Sequence, residues 1–179
     1  MLFRKDINGL RALAVISVVI FHFSPSWLPG GFAGVDVFFV ISGYLITSII
    51  CRELESNSFS IFNFYERRAR RILPAFIVVA AITMLASWML VLPSSFKSVG
   101  QSFAAASMSV SNVLFWMEDG YFASASEEKP FLHTWSLGVE EQFYIFLPLI
   151  LIALKAVTQR KLAIVLGLLA LVSLGFSLY

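Results

Sequence analysis

Apolar residues run almost without interruption through five stretches of the chain, 8–24, 34–51, 73–92, 139–155 and 161–179, with polar clusters between them. Each stretch approaches the roughly 20 residues that carry an α-helix across a hydrocarbon core about 30 Å thick. The pattern predicts an all-α, polytopic integral membrane protein of about five transmembrane helices, forming a single membrane domain over 1–179. A further stretch, "KSVGQSFAAASMSVSNVLFWMEDG", is long enough to span but rich in Ser, Gln and Asn. It reads as an interfacial or re-entrant segment.

Composition agrees. Of the 179 residues, 59% are hydrophobic and 13% charged, and the mean hydropathy is +0.84, a balance that a soluble domain of this size would not hide from water. The first stretch follows Arg4 and Lys5 as a leader peptide would, but it lacks a small-x-small cleavage site and contains Arg11 and His22, so it reads as retained. Cys51 is the single cysteine, which excludes an intramolecular disulfide and suggests neither a zinc cluster nor a Cys–His nucleophile.

Charge placement gives an orientation. Arg4, Lys5 and Arg11 flank the first helix, and Arg52 together with "YERRARRILP" lies between the second and third. Basic residues favour the cytoplasmic side, so the N-terminus and this basic block are expected there. A re-entrant 97–120 segment then puts Glu118, Asp119, Glu127 and Glu128 outside and Lys155, Arg160 and Lys161 inside, whereas a crossing segment would reverse both.

Ionisable groups inside spans are costly, and each is a functional candidate. Arg11 and His22, eleven residues apart, return to nearly the same helix face about 16 Å apart. Asp36 opens the second helix and is expected beside His22 across the turn "SPSWLPGGF". A carboxylate there would fix the imidazole tautomer and stabilise the imidazolium formed in general-base activation of a hydroxyl; alternatively, Asp36 is only an N-terminal helix charge. In "RRARR", Arg68 and Arg71 (i, i+3) and Arg67 and Arg71 (i, i+4) share faces, an arrangement suited to phosphate or merely to a basic loop. In "FLHTWSLGVEEQFYIF", His133, Glu140, Glu141 and Gln142 lead into the fourth span. Adjacent Glu140 and Glu141 point roughly 100° apart, so one is expected to face the bundle and the other headgroups or solvent.

Together these stretches resemble acyltransferase family 3, the membrane O-acyltransferases. "GLRALAVISVVIFH" is similar to the family's Arg-x10-His helix, "GGFAGVDVFFVISGYLIT" to its second-helix signature, "FYERRARRILPA" to its RRxxR motif and "FLHTWSLGVEEQFYIF" to its HTWSLxVEEQFY motif. The resemblance implies a bacterial inner-membrane enzyme that moves an acyl group, usually acetyl from cytoplasmic acetyl-CoA, to a hydroxyl of an extracytoplasmic glycan such as lipopolysaccharide O-antigen or peptidoglycan. It implies His22 as catalytic base or acyl relay, with Arg11, Arg68 and Arg71 on the donor side. Asp36 and Glu140 or Glu141 are expected near His22 toward the acceptor. Acetyl-CoA is then a substrate; no permanently bound cofactor, metal or nucleic-acid partner is expected. The resemblance also implies more spans than this chain carries, so the chain reads as the N-terminal portion of such a domain, with a C-terminal half or partner subunit supplying the rest. A non-catalytic remnant or subunit is the alternative reading. A transporter is a third, disfavoured by the clustered RRxxR arginines and the lack of a detectable inverted repeat.

Overall fold

A computed structural model of the chain describes residues 4–118 and 129–153, with scattered helical positions between 164 and 175. Its helices are α1 (Lys5–Phe23), α2 (Gly34–Glu55), α3 (Ile61–Leu90), α4 (Pro93–Ser107), α5 (Ser111–Met117) and α6 (Thr134–Ala153). There is no strand among the described residues. Among the described residues, four helical segments are long and apolar enough to cross a membrane: Lys5–Phe23, Gly31–Glu55, Ile61–Leu90 and Thr134–Ala153. They correspond to the first four expected spans. The fifth, 161–179, lies for the most part outside the described residues, as do Asp119, Glu127 and Glu128 and the basic Lys155, Arg160 and Lys161.

The first hairpin is offset because two glycines let backbones touch. A Cβ on Gly34 would meet the Ala14 carbonyl oxygen at 2.4 Å and Ser17 Oγ at 2.6 Å, and one on Gly31 would meet the Ser17 carbonyl oxygen at 2.4 Å. Close approach at small residues is the usual way helices pack in lipid, where burial of apolar surface drives little association. A short 3-10 turn at Gly31–Ala33 leads into α2 beside the middle of α1, so the outer turn of α1 projects past the start of α2.

Contacts fix the directions of the others. Ser42 reaches Glu140, and Ile46 and Ile50 pack with Leu147 and Leu151, so α2 and α6 run in parallel. Tyr65 donates to the Ile145 carbonyl at 2.8 Å, Arg68 covers Tyr144, and Ala80 packs near Phe131, so α3 runs antiparallel to α6. The block expected as a basic loop is the first part of α3: Ser60 caps the helix by accepting from the Asn63 amide, and the arginines ride on a rigid continuation of the span.

The polar segment re-enters. In α4, Val99 packs against Ala80 and Phe103 stacks on Phe76 with ring centroids 6.4 Å apart, which runs α4 back down α3. At 15 residues it is about 22 Å long, short of a crossing. Ala106, Ser107 and Ser109 reach the depth of Arg68 and Ile72, with which they share a cavity wall. The helix breaks there, Ser109 having φ 57°, and α5 returns, tied by Ser111 Oγ donating to the Thr134 carbonyl at 2.7 Å. Lys129, 2.7 Å from Glu118, closes the returning end. Broken backbone at membrane depth needs protein partners. Gln142 supplies them: its Nε2 donates to the Ser109 carbonyl at 2.8 Å and to Asn112 Oδ1 at 2.9 Å.

Candidate active site

His22 sits in the last turn of α1, exposed at one end of the bundle. Its Nδ1 lies 2.8 Å from the Val18 carbonyl oxygen. A carbonyl only accepts, so that contact requires the proton on Nδ1 and, in the neutral ring, leaves Nε2 with the lone pair. The ring meets Phe21 edge-on at 5.8 Å, and Phe21 in turn meets Phe32.

Asp36 does not complete a dyad. No hydrogen bond or ion pair joins it to His22 among the described residues. The reason is the hairpin offset: Gly34 lies level with Ala14–Val18, so Asp36 falls roughly 10 Å further along the axis than His22. The Val18 carbonyl oxygen, and not Asp36, is what the His22 Nδ1 contacts. Arg11 lies over the Phe38 ring at 5.8 Å, deeper along the axis than Asp36.

The other imidazole, His133, lies immediately before α6 and is coupled to His22 by charge. Partial desolvation lowers the pKa of the still exposed His133 below the ordinary 6.5, and charge on His22 lowers it further. Positive charge on His22 therefore disfavours a second charge on His133.

Glu140 and Glu141 lie with the arginines instead of with His22. Ser42 Oγ donates to Glu140 Oε1 at 2.5 Å, and the Tyr144 hydroxyl donates to the same oxygen. The Arg68 guanidinium stacks on the Tyr144 ring, 3.6 Å from its centroid, so one chain of contacts links α2, α6 and α3. Glu141 turns the other way, into a cavity of about 170 Å³ that Arg68, Tyr65 and Ser109 also line, and its Oε1 is buried with no hydrogen-bond partner among the described residues. Neither carboxylate faces headgroups or solvent as expected of one of them, because re-entrant α4 and α5 cover the face of α6 that Glu141 and Gln142 occupy.

Arg67, Arg68 and Arg71 line a second cavity, about 250 Å³, with Glu53 as the acid on its wall. Arg67 is 3.1 Å from Glu53, while Arg71 has no ion-pair partner among the described residues. A third cavity of about 340 Å³ runs between α3 and α6 from Arg71 to His133, walled by Ala75, Phe76, Val79 and Leu137. A surplus of guanidinium groups around an open space suits bidentate binding of phosphate oxygens.

With this geometry in view, comparison with known proteins decides the family. The model of an acyltransferase domain, acyltransferase family 3, matches residues 4–179. The chain belongs to acyltransferase family 3. It is 42% identical over 168 residues to the peptidoglycan O-acetyltransferase OatA of Listeria monocytogenes, covering 91% of this chain and 27% of that protein. It is 36% identical over 171 residues to the O-acetyltransferase OatA of Staphylococcus aureus, covering 94% of this chain and 28% of the relative. The chain thus spans less than a third of the length of these family members. No solved structure matches it.

The family motifs named His22, the arginines and the two glutamates in the sequence. Ser42, Tyr144, Asn112 and Gln142 were not singled out as a network, and His133 was noted only as part of its motif. Their signal was polarity within apolar runs; their partners became evident only once α2, α3, α5 and α6 were packed.

Proposed function

We propose that this chain forms part of a membrane O-acyltransferase that takes an acetyl group from acyl-CoA at the cytoplasmic face and delivers it to a hydroxyl of an extracytoplasmic glycan. The observation that carries the reading is the separation of two chemistries along one bundle: three arginines around one cavity at one end, and at the other His22, whose Nε2 has no hydrogen-bond partner among the described residues. The flanking Arg4, Lys5, Arg52 and Arg70 favour a plasma-membrane orientation with the N-terminus and arginine end in the cytoplasm, where CoA phosphates arrive. The name of the Listeria relative favours peptidoglycan as acceptor over O-antigen.

His22 Nε2 takes the proton of the acceptor hydroxyl as its oxygen attacks the thioester carbonyl. The new C–O bond forms, the C–S bond breaks, and the thiolate leaves with the proton returned from the imidazolium. The Val18 carbonyl holds the imidazole in the reactive tautomer and accepts from the Nδ1–H that carries charge during the step. Glu140 and Glu141 act on the donor side, holding Arg68 and Tyr144 in register.

The test is glycan O-acetylation, measured by mass spectrometry in cells lacking their own transferase. The cells express this chain, alone or joined to the remainder of a longer relative, with His22 or with His22→Ala. Acetylation that disappears with His22→Ala at equal membrane abundance supports the reading. Acetylation indifferent to the substitution contradicts it.

A further inference from the structure

One side of α2 has no neighbouring helix among the described residues. Gly34 turns toward α1, and Ser42, Ile46 and Ile50 turn toward α6. Asp36, Val37, Val40 and Tyr44 are exposed, and their spacing sets them in a stripe along the side that faces neither. Asp36 lies about 3 Å along the axis from Gly34, which is itself level with Ala14–Val18. From Ala14, α1 continues outward for about 13 Å to Phe23, with Val15, Ile16, Val19 and Phe23 exposed. The carboxylate is therefore set within the apolar band, with exposed apolar side chains beyond it in both directions. No hydrogen bond or ion pair engages it among the described residues, and Arg11, deeper in the same hairpin, rests over Phe38 instead. The helix dipole favours an acid in the first turn, but ionisable groups at membrane depth face protein or water and find a partner there.

We infer that this side of α2 is an interhelical docking surface, and that its occupant is a transmembrane helix from outside this chain with a basic side chain opposite Asp36. Charge complementarity selects that occupant. Lipid acyl chains offer the carboxylate nothing, and a second copy paired through the same stripe would turn Asp36 toward its own counterpart, acid against acid. Length supports it: the matched stretch covers 27% of the Listeria relative and 28% of the staphylococcal one, so such proteins have chain in hand to supply the helix. Val37 and Val40 give the incoming helix an apolar surface on which to pack, and enclosure between two helices strengthens the attraction of the ion pair. The docking needs neither substrate nor His22, so it stands apart from the transfer chemistry proposed above.

The experiment co-expresses this chain with the remainder of the Listeria relative as a separate polypeptide and measures how much of that remainder co-purifies in mild detergent. A photoreactive amino acid in place of Val40 then maps the contact by mass spectrometry. The cross-link is expected on a helix of the remainder, within one turn of an Arg, Lys or His. Asp36→Lys should lower recovery of the remainder by about tenfold or more, whereas Glu55→Lys, the same reversal at the far end of α2, should leave it within about twofold. Exchanging the mapped basic residue for Glu should restore recovery with Asp36→Lys, which also shows that this variant folds. Unchanged recovery with Asp36→Lys overturns the inference, as does failure of the unsubstituted chain to retain the remainder. A Val40 cross-link to a second copy of this chain, or to phospholipid alone, overturns it and assigns the face to a dimer or to lipid; this readout keeps Asp36 in place and decides even if Asp36→Lys fails to insert.

Discussion

Removing the Tyr144 hydroxyl isolates the contact that joins three helices. In Tyr144→Phe the ring remains under Arg68, where a cation–π contact of this kind contributes about 0.5–2 kcal/mol, but Glu140 loses one of its two hydroxyl donors. Hydrogen bonds to charged groups contribute about 1.5–3 kcal/mol each, so Tyr144→Phe should destabilise the bundle by about 2 kcal/mol. Ser42→Ala, at a buried position, should cost a similar amount. The double variant should cost more than the sum, because it leaves Glu140 with neither donor, and groups sharing one network couple by about 0.5–3 kcal/mol. Unfolding in mixed micelles, followed for the four members of this cycle, measures both quantities. Single losses under about 0.5 kcal/mol that add without coupling would refute the view that Glu140 ties α2 to α6.

Three further outcomes follow from the geometry. Gly34→Val should separate α1 from α2, since even its Cβ would lie 2.4 Å from a backbone oxygen; Gly30→Ala, with nothing within 4 Å of the added carbon, should be silent, and cysteine cross-linking across the hairpin reads both. Gln142→Leu removes the partner of the Ser109 carbonyl, an orphaning that costs about 1–3 kcal/mol, and should raise hydrogen exchange around 108–112. His133 has a folded pKa below its unfolded value, so the unfolded chain binds more protons and stability rises with pH. That contribution is complete above about 6.5 and is lost as pH falls through the lower folded value; thermal melts between pH 7 and 5 should show a decline that His133→Asn reduces.

The apolar runs made the four described spans legible, because length and hydropathy are local properties that lipid enforces directly. The re-entrant segment was legible from its polarity together with the charge on either side. What it is held by was not: the fit of Gln142 to Ser109 depends on where α4 breaks, and that follows from packing against α3 and α6. The His22–Asp36 pairing failed because it assumed level helix ends. Gly31, read as part of the turn, and Gly34, read as the start of the second span, let α2 begin alongside the middle of α1. The glutamates were expected near the acceptor because α6 was taken to begin about five residues later, at 139 instead of Thr134. The earlier start and antiparallel pairing with α3 carry Glu140 and Glu141 down to Arg68.

The most direct measurement supplies the two substrates on opposite sides of a sealed membrane. Vesicles containing the chain, or the chain joined to the remainder of a relative, are oriented with the arginine end outward; labelled acetyl-CoA is added outside, and a hydroxyl-bearing glycan is enclosed. The account predicts labelled glycan inside the vesicles, and none with His22→Ala. Transfer that needs both substrates on one side, or that proceeds equally without the imidazole, would contradict it.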